Sequence, residues 1–271
     1  MATSCTASEV MMVAAAREIE DRSVVVAGTG LPLVAAVLAK RFYAPNAVLV
    51  TEAGLVDFDP LLPLYSISDC TASHGTSYAC ELYEVFATFV GRGFVDVAIL
   101  GVADIDRFGN INTTVVGDYL RPRLRMGGAG GAPEFLAQSR KSVLTMRGGH
   151  FVETLDYLTS PGYLKGKPER DNTHHFPLES GPRVLVSRKG VFRFDAETGE
   201  IYLDALAPGQ STESVQADIP WRIRVAHDLG AVAFPSEEEI DFIRHFDITV
   251  SLPRRERSVP ASRRESGKMT A

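Results

Sequence analysis

The fold is set by residues 23–54, which read SVVVAGTGLPLVAAVLAKRFYAPNAVLVTEAG. A short run of β-branched residues is followed by a glycine turn, then by an apolar segment of helical length, and then by a second short β-branched run. Neither run alternates with polar residues, which is typical of parallel strands that are buried on both faces of a sheet. The segment therefore predicts a β–α–β unit.

The same patterns extend to both sides of this unit. They predict helices at 8–20, 78–90 and 236–246, the last beginning with a capping box, strands at 95–101, 142–146 and 183–187, and a hairpin turning at 197–200. A long surface loop is expected at 162–182. Strands separated by helices indicate an α/β fold. No low-complexity linker divides the chain, so we expect one domain over residues 1–250 and a basic, mobile tail over 251–271.

The composition limits the classes of function. The chain has 271 residues, 45% of them hydrophobic, and a net charge of −6, so it can bury a large core and gives no reason to expect nucleic acid as a partner. Its three cysteines have no CxxC spacing, which argues against a disulfide framework and a zinc site. The first residues do not resemble a signal peptide, and no apolar run is long enough to span a membrane. We therefore expect a soluble, cytoplasmic protein.

Glu52 is the first candidate for chemistry. It follows directly on the second buried strand, so its carboxylate is expected at the carboxyl end of a parallel strand, where α/β sheets bind their ligands. A carboxylate in that place is costly unless it is paired. The position alone therefore leaves two interpretations open, a functional group or a partner in a salt bridge.

The glycine-rich segment MGGAGGAPEF, residues 126–135, is the second candidate. Its glycines allow the backbone to approach a ligand and to turn N–H groups toward it, as in an oxyanion hole or a phosphate cradle. As a bare pattern it also fits a glycine-rich surface turn, which is the commoner case. It is not a P-loop, and the earlier turn AGTGLP is not a dinucleotide-binding fingerprint.

Two further polar features do not predict a metal site. The segment GVADIDRFGNINTT, residues 101–114, is rich in Asp and Asn but lacks the spacing of an EF-hand, and its DRFGN part fits a turn. The six histidines form no metal-ligand spacing, and no GxSxG motif of a serine hydrolase is present. From the residues alone, the class of reaction stays open.

Taken in order, five segments of the chain resemble the β subunit of family I CoA-transferases of the glutaconate CoA-transferase type. They are GTGLPLVAAVLAKRFYAPN, TEAGLVD, GVADIDRFGNIN, GDYLRPRLRMGGAGGA and DYLTSPGY. The resemblance extends from about residue 8 to residue 247. It implies an open, doubly wound, mostly parallel sheet in a three-layer α/β/α domain, and a homologous α subunit as the partner.

The resemblance also implies catalytic roles. Glu52 matches the glutamate that is the nucleophile in the family. The family's oxyanion and CoA loop matches a run of four residues: Gly128, Ala129, Gly130 and Gly131. Of these, the resemblance favours the N–H groups near Gly130 and Gly131 as donors to the oxyanion, with Gly128 and Ala129 nearer to CoA.

Two other parts of the resemblance are less decisive. Gly28 and Gly30 correspond to a turn that borders CoA in the family, but a tight strand-to-helix turn explains them equally well. Asp104 is a departure, because many relatives carry glutamine there. If the Asp104 side chain faces the acyl group, its negative charge would change the substrate preference. If it lies on the surface, the replacement of glutamine by aspartate has no such effect.

The implied reaction is a ping-pong transfer of CoA between an acyl-CoA and a carboxylic acid, by resemblance a dicarboxylic acid, through a covalent glutamyl-CoA thioester. CoA is then a substrate and part of the intermediate, and neither a permanently bound cofactor nor a metal is expected. Two alternatives stay open. One is hydrolysis, ring opening or decarboxylation of an acyl-CoA on the same fold, which the presence of Glu52 disfavours. The other is a non-catalytic acyl-CoA-binding subunit.

Overall fold

The β–α–β unit predicted from residues 23–54 is present. The computed structural model of the protein describes residues 5–60, 64 and 66–246. Its helices are α1 Ala7–Ala16, α2 Leu31–Phe42, α3 Leu82–Glu84 (continued by a π-helical segment, Val85–Val90), α4 Ala132–Gln138, α5 Lys167–Asn172, α6 Thr212–Gln216 and α7 Glu237–Phe246. Its strands are β1 Val24–Ala27, β2 Val48–Val50, β3 Leu55–Val56, β4 Tyr78–Ala79, β5 Val97–Gly101, β6 Asp104–Ile105, β7 Ile111–Asn112, β8 Val115–Gly117, β9 Pro122–Arg125, β10 Lys141–Met146, β11 His150–Phe151, β12 Pro182–Ser187, β13 Gly190–Phe194, β14 Ile201–Leu206 and β15 Arg224–Ala231.

Ten of these strands form one sheet in the order β15-β14-β13-β12-β10-β5-β1-β2-β3-β4. The strands from β12 to β2 in this order are parallel. On one side the sheet continues with the predicted antiparallel β13–β14 hairpin and with β15, which is parallel to β14; on the other side it continues with the antiparallel strands β3 and β4. Because the parallel strands point the same way, the residues that follow them meet at one edge, which is called the carboxyl edge below.

The parallel strands bury alternate side chains in two separate cores. On β5, Ile99 packs into one core and Leu100 into the other. The first core also contains the apolar faces of α1, α2 and α7, and the second contains side chains of α4 together with Trp221. Helical or irregular segments thus cover both faces of the sheet, which gives the predicted three-layer α/β/α architecture.

Two helices on the first face, α1 and α7, begin with the same N-terminal capping motif. The predicted capping box of α7 is present: the Glu239 N–H donates to Ser236 Oγ at 3.2 Å, and the Ser236 N–H donates to Glu239 Oε2 at 2.6 Å. Thr6 and Glu9 form the same motif at the start of α1. The Arg244 guanidinium of α7 donates to the buried Glu9 carboxylate at 2.8 Å, so this ion pair joins the two helices.

Two helix boundaries differ from the prediction. The helix predicted at 78–90 begins only at Leu82, because Tyr78 and Ala79 pair with β3 as the edge strand β4. The opening helix, predicted at 8–20, ends at Ala16. Both errors arise because tertiary pairing and packing override local periodicity at the ends of elements.

The segment 162–182, predicted to be a surface loop, contains α5 and an arginine that is only 1% exposed. The guanidinium of Arg170 donates to the carbonyls of Gly162 and Ala137, at 2.6 and 3.0 Å, and to the Ser180 hydroxyl at 2.7 Å. Burial lowers the pKa of Arg170 to about 10. Since Ala137 lies in α4, Arg170 ties this segment to the helix that follows the glycine-rich loop.

The remaining predictions concern the C-terminal tail, the cysteines and membrane-spanning segments. The tail predicted at 251–271 lies outside the described residues. Cys5, Cys70 and Cys80 are all free thiols. In the part of the chain that is described, no helix is both long enough and apolar enough to pass through a membrane.

Candidate active site

Glu52 lies in a tight turn between β2 and β3, at the carboxyl end of β2 as predicted. The Thr51 N–H donates to the Leu55 carbonyl at 2.9 Å, and the Leu55 N–H donates to the Thr51 hydroxyl at 3.1 Å. Gly54 has a φ of +98°, and a Cβ there would lie 1.9 Å from the Cys80 carbonyl oxygen. Only glycine fits this position, so the last residue of TEAG is fixed by the turn that presents Glu52.

The glycine-rich segment reaches Glu52 through Gly131, whose backbone N–H faces the Glu52 carboxylate and stabilises its charge. A Cβ at Gly131 would lie 2.6 Å from the Phe86 ring and 2.7 Å from the Phe135 ring. The two rings stack with their centroids 5.2 Å apart. Glycine is therefore required for this close packing, and two motifs that are far apart in the sequence form one site.

The surroundings of Glu52 raise the pKa of its carboxyl group above the ordinary value for glutamate. Partial burial removes water from the carboxylate, and the negative charge of Glu134 adds repulsion. The hydrogen bond from the Gly131 N–H acts in the opposite direction and only partly compensates. No lysine or arginine among the described residues forms an ion pair with Glu52, so the salt-bridge interpretation is wrong for this part of the chain.

The other end of the glycine loop is held by residues that follow β7. The Gly128 N–H donates to the Thr113 carbonyl at 2.9 Å, and the Thr113 hydroxyl donates to the Gly128 carbonyl at 2.8 Å. The Met126 N–H donates to the Thr114 carbonyl at 2.9 Å. These contacts fix Gly128 at a φ of +90°, which glycine adopts without strain.

The rest of the Asp- and Asn-rich segment is used inside the fold. The Asn110 amide donates to the Asp106 carboxylate and to the Leu164 carbonyl, both at 2.7 Å. The Asp106 carboxylate also accepts from the Phe108 N–H at 2.8 Å, which closes the predicted DRFGN turn. Burial raises the pKa of Asp106 above the ordinary value for aspartate. The polar side chains of residues 106–110 are thus bound inside the fold, where they join this turn to the chain at Leu164.

A cleft of about 530 Å³ opens beside the glycine loop at the carboxyl edge. It is lined by residues 29–32, 101–103, 126–128 and 147–149, together with Thr113 and Thr145. Among these lining residues, only Arg147 carries a charge. A Cβ at Gly101, Gly127 or Gly148 would meet nothing within 4 Å. The fold does not need glycine at these three positions for space, and the missing side chains keep the cleft open.

The glycines predicted to contact CoA do not all lie in this cleft. Gly30 and Gly128 line it. Gly28 precedes the lining residues, and its N–H donates to the Ile99 carbonyl at 3.0 Å, as a sheet residue does. Ala129 and Gly130 are not among the lining residues, and they connect the cleft to Gly131 along the chain.

Asp104 is buried rather than on the surface, since it is 8% exposed. Its Oδ1 lies 3.2 Å from Nδ1 of His150, a residue at the start of β11. This contact contradicts the interpretation of Asp104 as a surface change. The pair is not part of a larger cluster: within the described ranges, no three His, Cys, Asp or Glu side chains come together as metal ligands.

Three parts of the site were missed by the sequence analysis. They are the Phe86–Phe135 ring pair, the Thr113 hydroxyl and residues 147–149. The last of these follow the predicted strand 142–146, so the rule that selected Glu52 would also have selected them. The ring pair and the hydroxyl have no local signal, because their contacts exist only after the chain has folded.

The chain matches the family model of the coenzyme A transferases over residues 9–218. It is 35% identical to the B subunit of 3-oxoadipate CoA-transferase from Pseudomonas knackmussii over 239 residues, which cover 88% of this chain and 91% of the relative. It is 34% identical to the B subunit of glutaconate CoA-transferase from Acidaminococcus fermentans over 222 residues, with 79% of this chain and 82% of the relative covered.

A solved structure and a more distant relative complete the comparison. The crystal structure of glutaconate coenzyme A-transferase from Acidaminococcus fermentans superposes with a TM-score of 0.84 at 30% identity and covers 93% of this chain and 99% of that one. The IpdB subunit of the cholesterol ring-cleaving hydrolase from Rhodococcus jostii is 27% identical over 235 residues, which cover 84% of this chain and 86% of the relative.

The raised pKa of Glu52 predicts how its replacement changes stability. Ionising this carboxylate costs folding free energy, so Glu52→Gln should melt at an equal or higher temperature than the wild type above the Glu52 pKa. The difference should shrink toward zero as the pH falls below the ordinary glutamate pKa, where the wild type is also neutral. Thermal unfolding of both proteins from pH 4 to pH 8 measures it. A variant that melts well below the wild type at pH 8 contradicts the account.

Proposed function

The chain belongs to the coenzyme A transferase family, and we propose that it is the β-type subunit of a two-subunit enzyme in which Glu52 carries CoA between two carboxylic acids. The observation that carries this proposal is the contact between the Gly131 N–H and the Glu52 carboxylate at the carboxyl edge. In the described part of the chain, the Glu52 carboxylate is partly desolvated, has no cationic partner and faces a backbone donor, which are the properties of an activated nucleophile.

In the first step, a Glu52 carboxylate oxygen attacks the thioester carbonyl of the acyl-CoA. The C–S bond breaks, CoA leaves as a thiolate, and the acyl group becomes a mixed anhydride with Glu52. The raised pKa favours this step, because a more basic carboxylate is a better nucleophile. No proton has to be supplied or removed.

In the second step, the CoA thiolate attacks the Glu52 carbonyl carbon of the anhydride. The anhydride C–O bond breaks, the donor acid leaves as a carboxylate, and Glu52 holds CoA as a thioester. An acceptor carboxylate then reverses both steps. The oxyanion of this second step forms on a Glu52 oxygen, for which Gly131 already supplies a donor. One such donor is typically worth about 3–4 kcal/mol.

The cleft beside the loop suits the pantetheine arm of CoA. It is lined by small and neutral residues apart from Arg147, and its volume of about 530 Å³ is in the range of small-molecule sites. The glycine loop connects it to Glu52, since residues 126–128 line the cleft and Gly131 contacts the carboxylate. An arm lying in the cleft would bring its sulfur to Glu52.

The acid is a dicarboxylate in this proposal. The two relatives with 35% and 34% identity are named for 3-oxoadipate and glutaconate, and both of these acids have two carboxyl groups. The Asp104 carboxylate is buried and lies 3.2 Å from Nδ1 of His150. The group that binds the distal carboxylate is assigned to the partner subunit.

The partner subunit would cover an exposed hairpin formed by β8 and β9, residues 115–125. Leu120 is 84% exposed and Leu124 is 55% exposed. Tyr119 stacks on Tyr157 with ring centroids 5.4 Å apart, and both rings are accessible. Exposed tyrosines and leucines mixed with arginines are typical of a protein interface. The hairpin leads directly into the glycine loop, so a subunit docked there would also enclose Glu52.

Glu52→Gln should abolish CoA exchange in the enzyme assembled with its partner subunit, with a loss of at least about 10³-fold, because the nucleophile is gone. Glu134→Gln is the matched control: it should keep exchange and move the acid limb of the pH–rate profile to lower pH, because one cause of the raised Glu52 pKa is removed. The assay follows exchange between acyl-CoA and a free dicarboxylate. Exchange by Glu52→Gln within tenfold of the wild type, or steady CoA release without an acceptor acid, would favour hydrolysis or decarboxylation instead.

Leu120→Glu combined with Leu124→Glu should weaken assembly with the partner subunit by at least about tenfold, because two charges would be buried in an apolar contact. Leu178→Glu is the control, since Leu178 is 62% exposed and lies outside the hairpin. Co-elution of the two subunits by size-exclusion chromatography over a dilution series measures the effect. Equal assembly of the double variant and the control rejects the hairpin as the interface.

A further inference from the structure

We propose that Arg147 and Arg188 bind the phosphate groups of CoA in a second cleft, next to the one assigned to its pantetheine arm. The proposal rests on the proposed function, because it takes CoA as the ligand of the carboxyl edge. It adds the place of the adenosine end of the molecule, and two arginines that hold it.

The second cleft has a volume of about 490 Å³ and adjoins the first, with which it shares three lining residues. Residues 147–149 line both clefts, so they form the boundary between them. On its far side the second cleft is lined by Arg188 and Lys189, in the turn between β12 and β13. It therefore extends the first cleft along the carboxyl edge, away from Glu52.

Two of the positive charges in this cleft are available to a ligand. Lys189 Nζ lies 3.0 Å from an Asp218 carboxylate oxygen and is largely neutralised. Arg147 and Arg188 are both exposed, and no carboxylate among the described residues pairs with either of them. Guanidinium groups bind phosphate oxygens through two parallel hydrogen bonds, so two unpaired arginines in one cleft suit a ligand with several phosphates.

The length of CoA agrees with the strand spacing. Neighbouring strands lie about 4.8 Å apart, so the end of β10 is about 14 Å from the end of β2, and the end of β12 is about 19 Å from it. The roughly thirteen bonds from the sulfur of CoA to its nearest phosphorus span about 15 Å when extended, at roughly 3.5 Å for every three bonds. A sulfur at Glu52 thus brings the diphosphate to Arg147, after β10, and the 3′-phosphate toward Arg188, after β12.

Backbone geometry at the boundary supports a ligand that crosses it. A Cβ at Gly149 would lie 1.6 Å from the Ala103 carbonyl oxygen, so glycine is required there by the fold. At Gly148 a Cβ would meet nothing within 4 Å, and the backbone is not in the left-handed region. The fold therefore leaves room for a side chain at residue 148. In the proposed complex, the absence of that side chain lets the arm of CoA pass from one cleft to the other.

The test uses the enzyme assembled with its partner subunit and two measurements. The first is the Kd of adenosine 3′,5′-bisphosphate, which carries a phosphate at each end of the ribose and has no thioester. The second is the steady-state kinetics with acyl-CoA. In Arg147→Gln and in Arg188→Gln, the Kd should rise about tenfold, as should the KM for acyl-CoA, with kcat nearly unchanged, because these contacts are remote from the reacting atoms.

Arg92→Gln is the matched control and should change neither value, since Arg92 is an exposed arginine that precedes β5, at the opposite edge of the sheet. Loss of bisphosphate binding in the two variants supports the subsite, whether or not the enzyme exchanges CoA. A failure to exchange CoA would overturn only the proposed function. Wild-type Kd and KM in both variants, in an enzyme that does exchange CoA, would overturn the subsite and leave the proposed function intact.

Discussion

The interaction between the Gly131 N–H and the Glu52 carboxylate joins the two segments on which the proposed chemistry depends. Glu52 is presented by a turn whose last glycine packs against the Cys80 backbone, and Gly131 is fixed by the rings of Phe86 and Phe135. The segment from Cys80 to Phe86 therefore touches both halves of the site. A disturbance of its packing should reach the proposed nucleophile and the proposed oxyanion donor together.

Buried and partly buried carboxylates on the helical face have cationic partners, and this distinguishes the scaffold from the candidate site. On the helical face, Glu9 is paired with Arg244, and Glu18 is paired with both Lys141 and Arg193. Such pairing lets buried charges remain ionised at modest cost. At the carboxyl edge, Glu52 keeps a half-buried carboxylate with no cationic partner among the described residues, and desolvation and the charge of Glu134 raise its pKa. In the proposed mechanism, the stability lost there makes the group reactive, which is the usual relation between a stable scaffold and an active site.

Much of the fold follows from local patterns. The β–α–β unit, the strands at 142–146 and 183–187, the β13–β14 hairpin and the capping box of α7 are all where their apolar runs, turn residues and cap residues predict them. The position of Glu52 at a strand end was predictable for the same reason. The start of α3 and the buried Arg170 were not, because strand pairing and burial of a charged side chain depend on segments remote in the sequence.

The site could be predicted only in part. TEAG and the glycine loop were recognisable as separate motifs, but their contact required the parallel strands to bring them to one edge. The function of Thr113 as a clamp on Gly128 could not be read from a polar segment that also forms turns. Residues 147–149 were predictable in principle, since they follow a buried strand just as Glu52 does.

The central claim is that Glu52 itself carries CoA. The most direct measurement is intact and peptide mass spectrometry of the assembled enzyme after incubation with glutaconyl-CoA and no acceptor acid. The account predicts that this chain gains the mass of CoA less one water, that the gain maps to the peptide containing Glu52, and that an added acceptor acid removes it. Turnover of the acyl-CoA with no covalent adduct on this chain, or with an adduct on another residue, would contradict it.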